Sequence, residues 1–204
     1  MAENKEYIFG IADIEIGEGE DKINFDGKDY LQAEGGSLSL TPSYAEITVA
    51  DFGETVVQRR LTGWEGQVTI SAAQEDAKIL KLALASTEPI TSTDGGEEGA
   101  MDARIGSKPQ GRRVRVHPRY LPDSVREMDW VIYNAAATEG FERAFDAEQG
   151  NIEITLNMMP REGFNASEPG NFFYRGGTDP NADEDNGNDD GGNGDGGEEE
   201  SPNS

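Results

Sequence analysis

Cysteine is absent from the 204 residues, which excludes a disulfide framework, a thiolate zinc site and a cysteine nucleophile. Histidine occurs once, as His117, so one chain cannot build a multi-histidine metal centre. No apolar run approaches the roughly 18 residues needed to span a bilayer. The start, Met1-Ala2-Glu3-Asn4-Lys5-Glu6, is charged and has no apolar h-region, so a secretory leader is not expected. Positive charge is scarce: 17 basic residues face 41 acidic ones, for a net charge of -24. That balance disfavours electrostatic binding to nucleic acid or to anionic lipid. No GxGxxG, P-loop, GxSxG or HExxH pattern is present, and carboxylates are too abundant for any one pair to stand out. An enzyme is therefore not expected, and no residue is assigned a catalytic, cofactor or metal role.

The acid excess is uneven. Residues 176–204 contain ten acids, eight glycines, no base and no aromatic, too little apolar surface to offset the entropy of ordering them. The composition predicts a folded domain over 1–175 and a disordered acidic tail over 176–204. Asp189, Asn193, Gly194 and Glu200 match part of an EF-hand calcium loop, but Gly191 stands where a ligand is needed, as chance allows in so biased a stretch. Arginine outnumbers lysine, 11 to 6, which with the acid excess is compatible with a saline host, or simply with solubility.

Most of 1–175 alternates with the period of a β-strand. Ile11–Ile16, Ser37–Leu40, Gln67–Ala72, Arg112–His117 and Asn151–Met158 each place apolar residues on one face. Lys22–Phe25 and Tyr30–Gln32 flank an Asp26-Gly27 turn signal. Tyr44–Ala50 and Thr55–Leu61 flank Asp51-Phe52-Gly53 and predict a long hairpin over 43–62, with Pro42 as a break before it. Asp129–Ala137 is almost continuously apolar, as for a strand buried on both faces. Glu142–Phe145 reads as a further strand, and Thr87–Gly106 as a long loop. Ala77, Leu80 and Leu84 fall at helical spacing within one predicted helix, Gln74–Ala85. The expected fold is mainly β, a β-sandwich or partly closed barrel with one flanking α-helix and a long projecting hairpin. His117 reads as a structural histidine at a strand end. Arg112, Arg113 and Arg115 are expected to pair with acids on a neighbouring strand or subunit, and Trp64, between Gly63 and Gly66, to fill an interface pocket.

Taken in order, several phrases resemble the major tail tube proteins of long-tailed (siphovirus-like) phages and related archaeal viruses. They are Leu38-Ser39-Leu40-Thr41-Pro42, Ile47-Thr48-Val49, Phe52-Gly53-Glu54-Thr55-Val56-Val57 and Arg60-Leu61-Thr62-Gly63. Val114-Arg115-Val116-His117-Pro118-Arg119-Tyr120-Leu121-Pro122 and a strand ending Tyr133-Asn134-Ala135-Ala136 complete the pattern, over roughly residues 8–160. The resemblance implies a structural virion protein, made in the host cytoplasm and located in the tail. Six copies would close into a ring by strand addition, and rings would stack into a tube reinforced by arms at both chain ends. It implies a tip initiator, a terminator and a lumenal tape measure protein as partners, no cofactor and no membrane. Viral DNA would pass through without specific binding. The hairpin tip, Asp51, Phe52, Gly53 and Glu54, would reach an adjacent ring. By alternation, Glu46, Thr48, Gln67, Thr69 and Ser71 are candidates to line an acidic lumen that repels phosphate, and Trp64, Arg113 and Arg115 are candidates for contacts between subunits. The alternative is a secreted or surface β-sandwich that binds carbohydrate or calcium.

Overall fold

A computed structural model describes residues 10–93, 95–143, 145 and 150–182. The described chain is mainly β, with one α-helix. Its strands are β1 (Ala12–Ile16), β2 (Ile23–Phe25), β3 (Gln32–Thr48), β4 (Val56–Ala72), β5 (Thr87–Thr91), β6 (Glu97–Asp102), β7 (Arg112–Pro118), β8 (Trp130–Ala137), β9 (Ile152–Met159) and β10 (Phe173–Arg175); α1 (Ala77–Ala83) follows β4. An antiparallel sheet runs in the order β2-β1-β7-β8-β9-β4-β3, and β10 pairs with β8. β5 and β6 form a separate two-stranded sheet.

The sheet curls because its apolar rows must meet. Ile14 and Ile16, Ile23 and Phe25, Val114, Ile132, Ile152, Ile154 and Leu156, and Val68 and Ile70 all lie within one core cluster with Ile79 and Leu82 of α1. The start of β3 folds back toward β1, where the Gln32 side-chain amide donates to the carbonyls of Ala12 and Phe25, at 2.8 and 2.9 Å. Among the described residues no ladder joins β3 to β1 or β2, so the curl stops short of a closed barrel. β8 is buried on both faces as its composition predicts: Ile132 enters the core cluster and Val131 is buried outside it.

Four expectations are corrected. Thr87–Gly106 is not a long loop, because β5 and β6 pair from Thr87↔Asp102 to Thr91↔Glu97; Pro89 and Gly99 obscure their alternation. No strand forms at Glu142, Arg143 or Phe145, where Phe145 is 88% exposed and Arg143 pairs with Glu75. Pro42 does not break the chain but lies inside β3 opposite Trp64, which is tolerable because β3 is an edge strand that can spare one N–H. The Asp26-Gly27 turn forms, with Asp26 accepting from the amides of Lys28 and Asp29 and the Tyr30 amide donating back to the Asn24 carbonyl at 3.1 Å, yet no ladder continues from it and the ladder of β2 is with β1.

The helix is shorter than its periodicity predicts, because Asp76 caps it. The Asp76 carboxylate accepts from the Ile79 amide at 2.8 Å and from the Tyr30 hydroxyl at 2.5 Å. Burial works against its charge, but these hydrogen bonds outweigh it and hold the Asp76 pKa below the usual carboxylate value. The Tyr30 hydroxyl is correspondingly pushed up to about 12, chiefly by that bond. A carboxyl depressed in the folded state contributes stability above its unfolded pKa and loses it as pH falls through the folded one. Asp76→Ala should therefore cost about 1 kcal/mol in urea unfolding at neutral pH, with the difference shrinking toward pH 2. An equal loss at both pH values would contradict this.

Candidate assembly site

β4 is one strand in two different environments. Over Gln67–Ala72 it is sandwiched between β3 and β9, and Val68, Ile70 and Ala72 are fully buried. Gly66 ends that row, because a Cβ there would meet the Met158 side chain at 2.7–2.9 Å. Trp64 comes next, half-buried, with its ring edge-to-face with Phe173 of β10 at 5.1 Å. Among the described residues the ladder has no third strand beyond Gly63: Ser43–Thr48 and Val56–Gly63 pair only with each other, from Ser43↔Gly63 to Thr48↔Val56, and project roughly 20 Å at about 3.3 Å per residue.

This ribbon is exposed on both faces and mixes polar side chains, among them Glu46, Gln58, Arg59 and Arg60, with apolar ones. Tyr44 and Leu61 stand opposite one another, and Val49 and Val57 are exposed nearer the tip. The tip is tight: the amides of Phe52 and Gly53 donate to the carbonyls of Val49 and Ala50, and Gly53 takes a φ of 65°, a region that favours glycine. Phe52 is thereby presented at 68% exposure between Asp51 and Glu54. The predicted tip residues thus lie together at the end of the ribbon.

The structure divides the candidate lumen residues into two groups. Glu46 and Thr48 are on the ribbon, and Glu46 is ion-paired with Arg59 across it at 2.8 Å. Gln67, Thr69 and Ser71 are on the body, opposite Asn157, Thr155 and Glu153 of β9. On the other side Gln67 and Thr69 are opposite Ser39 and Ser37 of β3. This three-strand face is built of hydroxyl, amide and carboxylate groups with no lysine or arginine.

The candidate intersubunit arginines are engaged within the subunit. Arg113 bonds Glu18 at 3.0 Å, the Tyr174 hydroxyl at 2.6 Å and Asp179 at 3.2 Å, and Arg115 bonds Glu15 at 2.6 Å. They line a 320 Å³ cleft with Arg126, Asp129, Val131 and Asp179. Composition missed Asp179 because it falls within the acidic stretch. It accepts from the Tyr133 hydroxyl at 2.7 Å, and Asn181 donates to the same hydroxyl at 2.7 Å and to the Gly170 carbonyl at 2.9 Å. Burial and the bond to Asp179 push the Tyr133 pKa up. Residues 176–182, assigned by composition to the tail, are thus tied to β8; the rest of the predicted tail, its calcium-like stretch and the N-terminal arm lie outside the described residues. His117 is buried at a strand end, with Nδ1 on Asp129 at 2.5 Å and Nε2 facing the Leu121 carbonyl at 3.3 Å, so both ring nitrogens are occupied. No cluster of three potential metal ligands occurs among the described residues, and no described helix is long and apolar enough to cross a membrane.

No protein-family model matches the chain, and a search of curated proteins finds no match.

The bonds of Asp179 separate two truncations. Ending the chain after Ala182 should leave thermal stability unchanged, whereas ending it after Arg175 should cost about 1–3 kcal/mol by removing the Asp179 and Asn181 partners of the half-buried Tyr133 hydroxyl. Equal melting temperatures for both would show that residues 176–182 do not hold the fold.

Proposed function

We propose that this chain is a structural subunit that assembles with its own copies into the stacked rings of a viral tail tube. One observation carries the reading: a ribbon pairs only with itself, projects from the body and exposes Tyr44, Phe52, Val57 and Leu61 to water. An isolated two-stranded ladder is marginal in water. Burying a Leu- or Phe-sized side chain is worth roughly 1.5–3 kcal/mol, so a partner that covers the ribbon stabilises both.

Two further features support the reading. β3 is a long edge strand, open on the side away from β4, as ring closure by strand addition requires. β2, at the other edge, is guarded: its Phe25 carbonyl already accepts from Gln32 and Arg119. The base-free face of β3, β4 and β9 suits a conduit wall, because phosphate finds neither lysine nor arginine there and DNA can slide without a salt-dependent hold. Six-fold closure, the tail-tip and tape measure partners and residence in the virion tail belong to the same proposal and rest on the resemblance in sequence.

Negative-stain electron microscopy of concentrated protein, in low and in molar salt, should show rings or hollow tubes with an axial repeat. Replacing Asp51–Gly53 with an Asn-Gly turn should abolish stacking. Dispersed monomers under every condition, together with a calcium- or glycan-dependent rise in melting temperature, would overturn the proposal in favour of a binding module. Normal tubes from the tip variant would remove the ribbon's role between rings.

A further inference from the structure

The ribbon tip needs a counterpart, and the charge distribution offers one. The tip carries two acids, Asp51 and Glu54, around exposed Phe52, with no base among them. The loop after β6 reverses this: Arg104 and Lys108 flank Ile105, with no acid between them. Ile105 is 96% exposed, the most exposed large apolar side chain among the described residues. The loop is a built turn rather than a trailing strand end. The Ser107 amide donates to the Arg104 carbonyl at 2.9 Å, and Gly106 takes a φ of 95°. Both sides of the loop are anchored just beyond α1, by the Ala103 amide on the Ser86 carbonyl at 3.1 Å and the Gln110 amide on the Ala85 carbonyl at 3.0 Å.

In a chain of net charge -24, six of the eleven arginines are committed internally. Arg59, Arg113, Arg115, Arg119, Arg126 and Arg143 all have carboxylate partners. Arg104 and Lys108 form no ion pair among the described residues, although they sit four positions apart in one exposed turn. Two copies of so acidic a chain repel on average, so a contact between them needs local charge reversal.

The two features belong to separate parts of the molecule. The tip caps the outer end of the β3–β4 ladder, while α1 and the residues that anchor the loop follow its inner end. A patch at one end and its complement toward the other make a heterologous contact, which repeats from copy to copy instead of closing on a pair. We propose that the tip of one copy, Asp51–Glu54, docks on the Arg104–Lys108 loop of a second copy, with Phe52 against Ile105 and Asp51 and Glu54 facing Arg104 and Lys108. This assignment rests on the reading that the ribbon joins copies of the chain, and it names the surface that receives it.

The test uses charge exchange in the full chain, read by sedimentation at low salt. The Arg104→Glu/Lys108→Glu variant and the Asp51→Lys/Glu54→Lys variant should each shift from sedimenting assemblies to monomer, with the melting temperature of the dilute monomer unchanged because all four side chains are exposed. The variant combining all four changes should recover the assemblies. The chain has no cysteine, so oxidising a mixture of Phe52→Cys and Ile105→Cys chains should give a disulfide joining one variant to the other. Parent-like assembly of either charge variant, or no recovery in the combined one, would overturn the docking while leaving the tube reading intact. Failure of the parent chain to assemble at any salt concentration, together with a calcium- or glycan-dependent rise in melting temperature, would overturn both.

Discussion

A β-ladder persists in water only when something covers it, and β4 has a strand on both sides for only about a third of its length. From Gln67 to Ala72 it has a strand on either side and a buried row of Val68, Ile70 and Ala72. The whole body is arranged to maintain that row: β9 supplies Ile152, Ile154 and Leu156 beside it, α1 supplies Ile79 and Leu82, and Met158 occupies the space left by Gly66. Past Gly63 the same ladder continues with no cover. The backbone hydrogen bonds hold the ribbon's shape, but Tyr44, Val57 and Leu61 stay exposed on it among the described residues. One strand pair thus has a covered part and an exposed part.

The charges are organised to the same effect. The cations clustered around β7 are drawn into the seam with β1, where Arg115 meets Glu15 and Arg119 meets Asp13, and into the strap after β10, where Arg113 meets Asp179. Concentrating basic residues there leaves the polar face of β3, β4 and β9 without any. The acidity of the chain argues against a protein that grips nucleic acid, and the placement of its few cations is compatible with one that lets it pass.

Much of this was legible in the sequence where a single face is buried. β1 and β9 show clean alternation because each puts one row in the core and the other outside, and the continuous apolar run of β8 reports its two buried faces. The long hairpin could be read from Asp51-Phe52-Gly53 between two alternating runs. Its full length could not, because Pro42 looks like a stop until β3 is known to be an edge. The β5–β6 hairpin was hidden because it buries little and so carries no strong apolar period. Glu142–Phe145 misled because apolar residues near a charge also fit a loop. The ties of His117 to Asp129 and of Tyr133 to Asp179 join residues 12 and 46 positions apart, and only the fold brings them together. Asp179 was further concealed by the acidic composition around it.

The most direct test is amide hydrogen exchange across residues 43–62, followed as protein concentration is raised from dilute to assembling conditions. Protection of the ribbon should rise with assembly, while Val68–Ala72, already buried, stays unchanged. Ribbon amides that exchange at the same rate in monomer and assembly would contradict a copy-to-copy role for this part of the molecule.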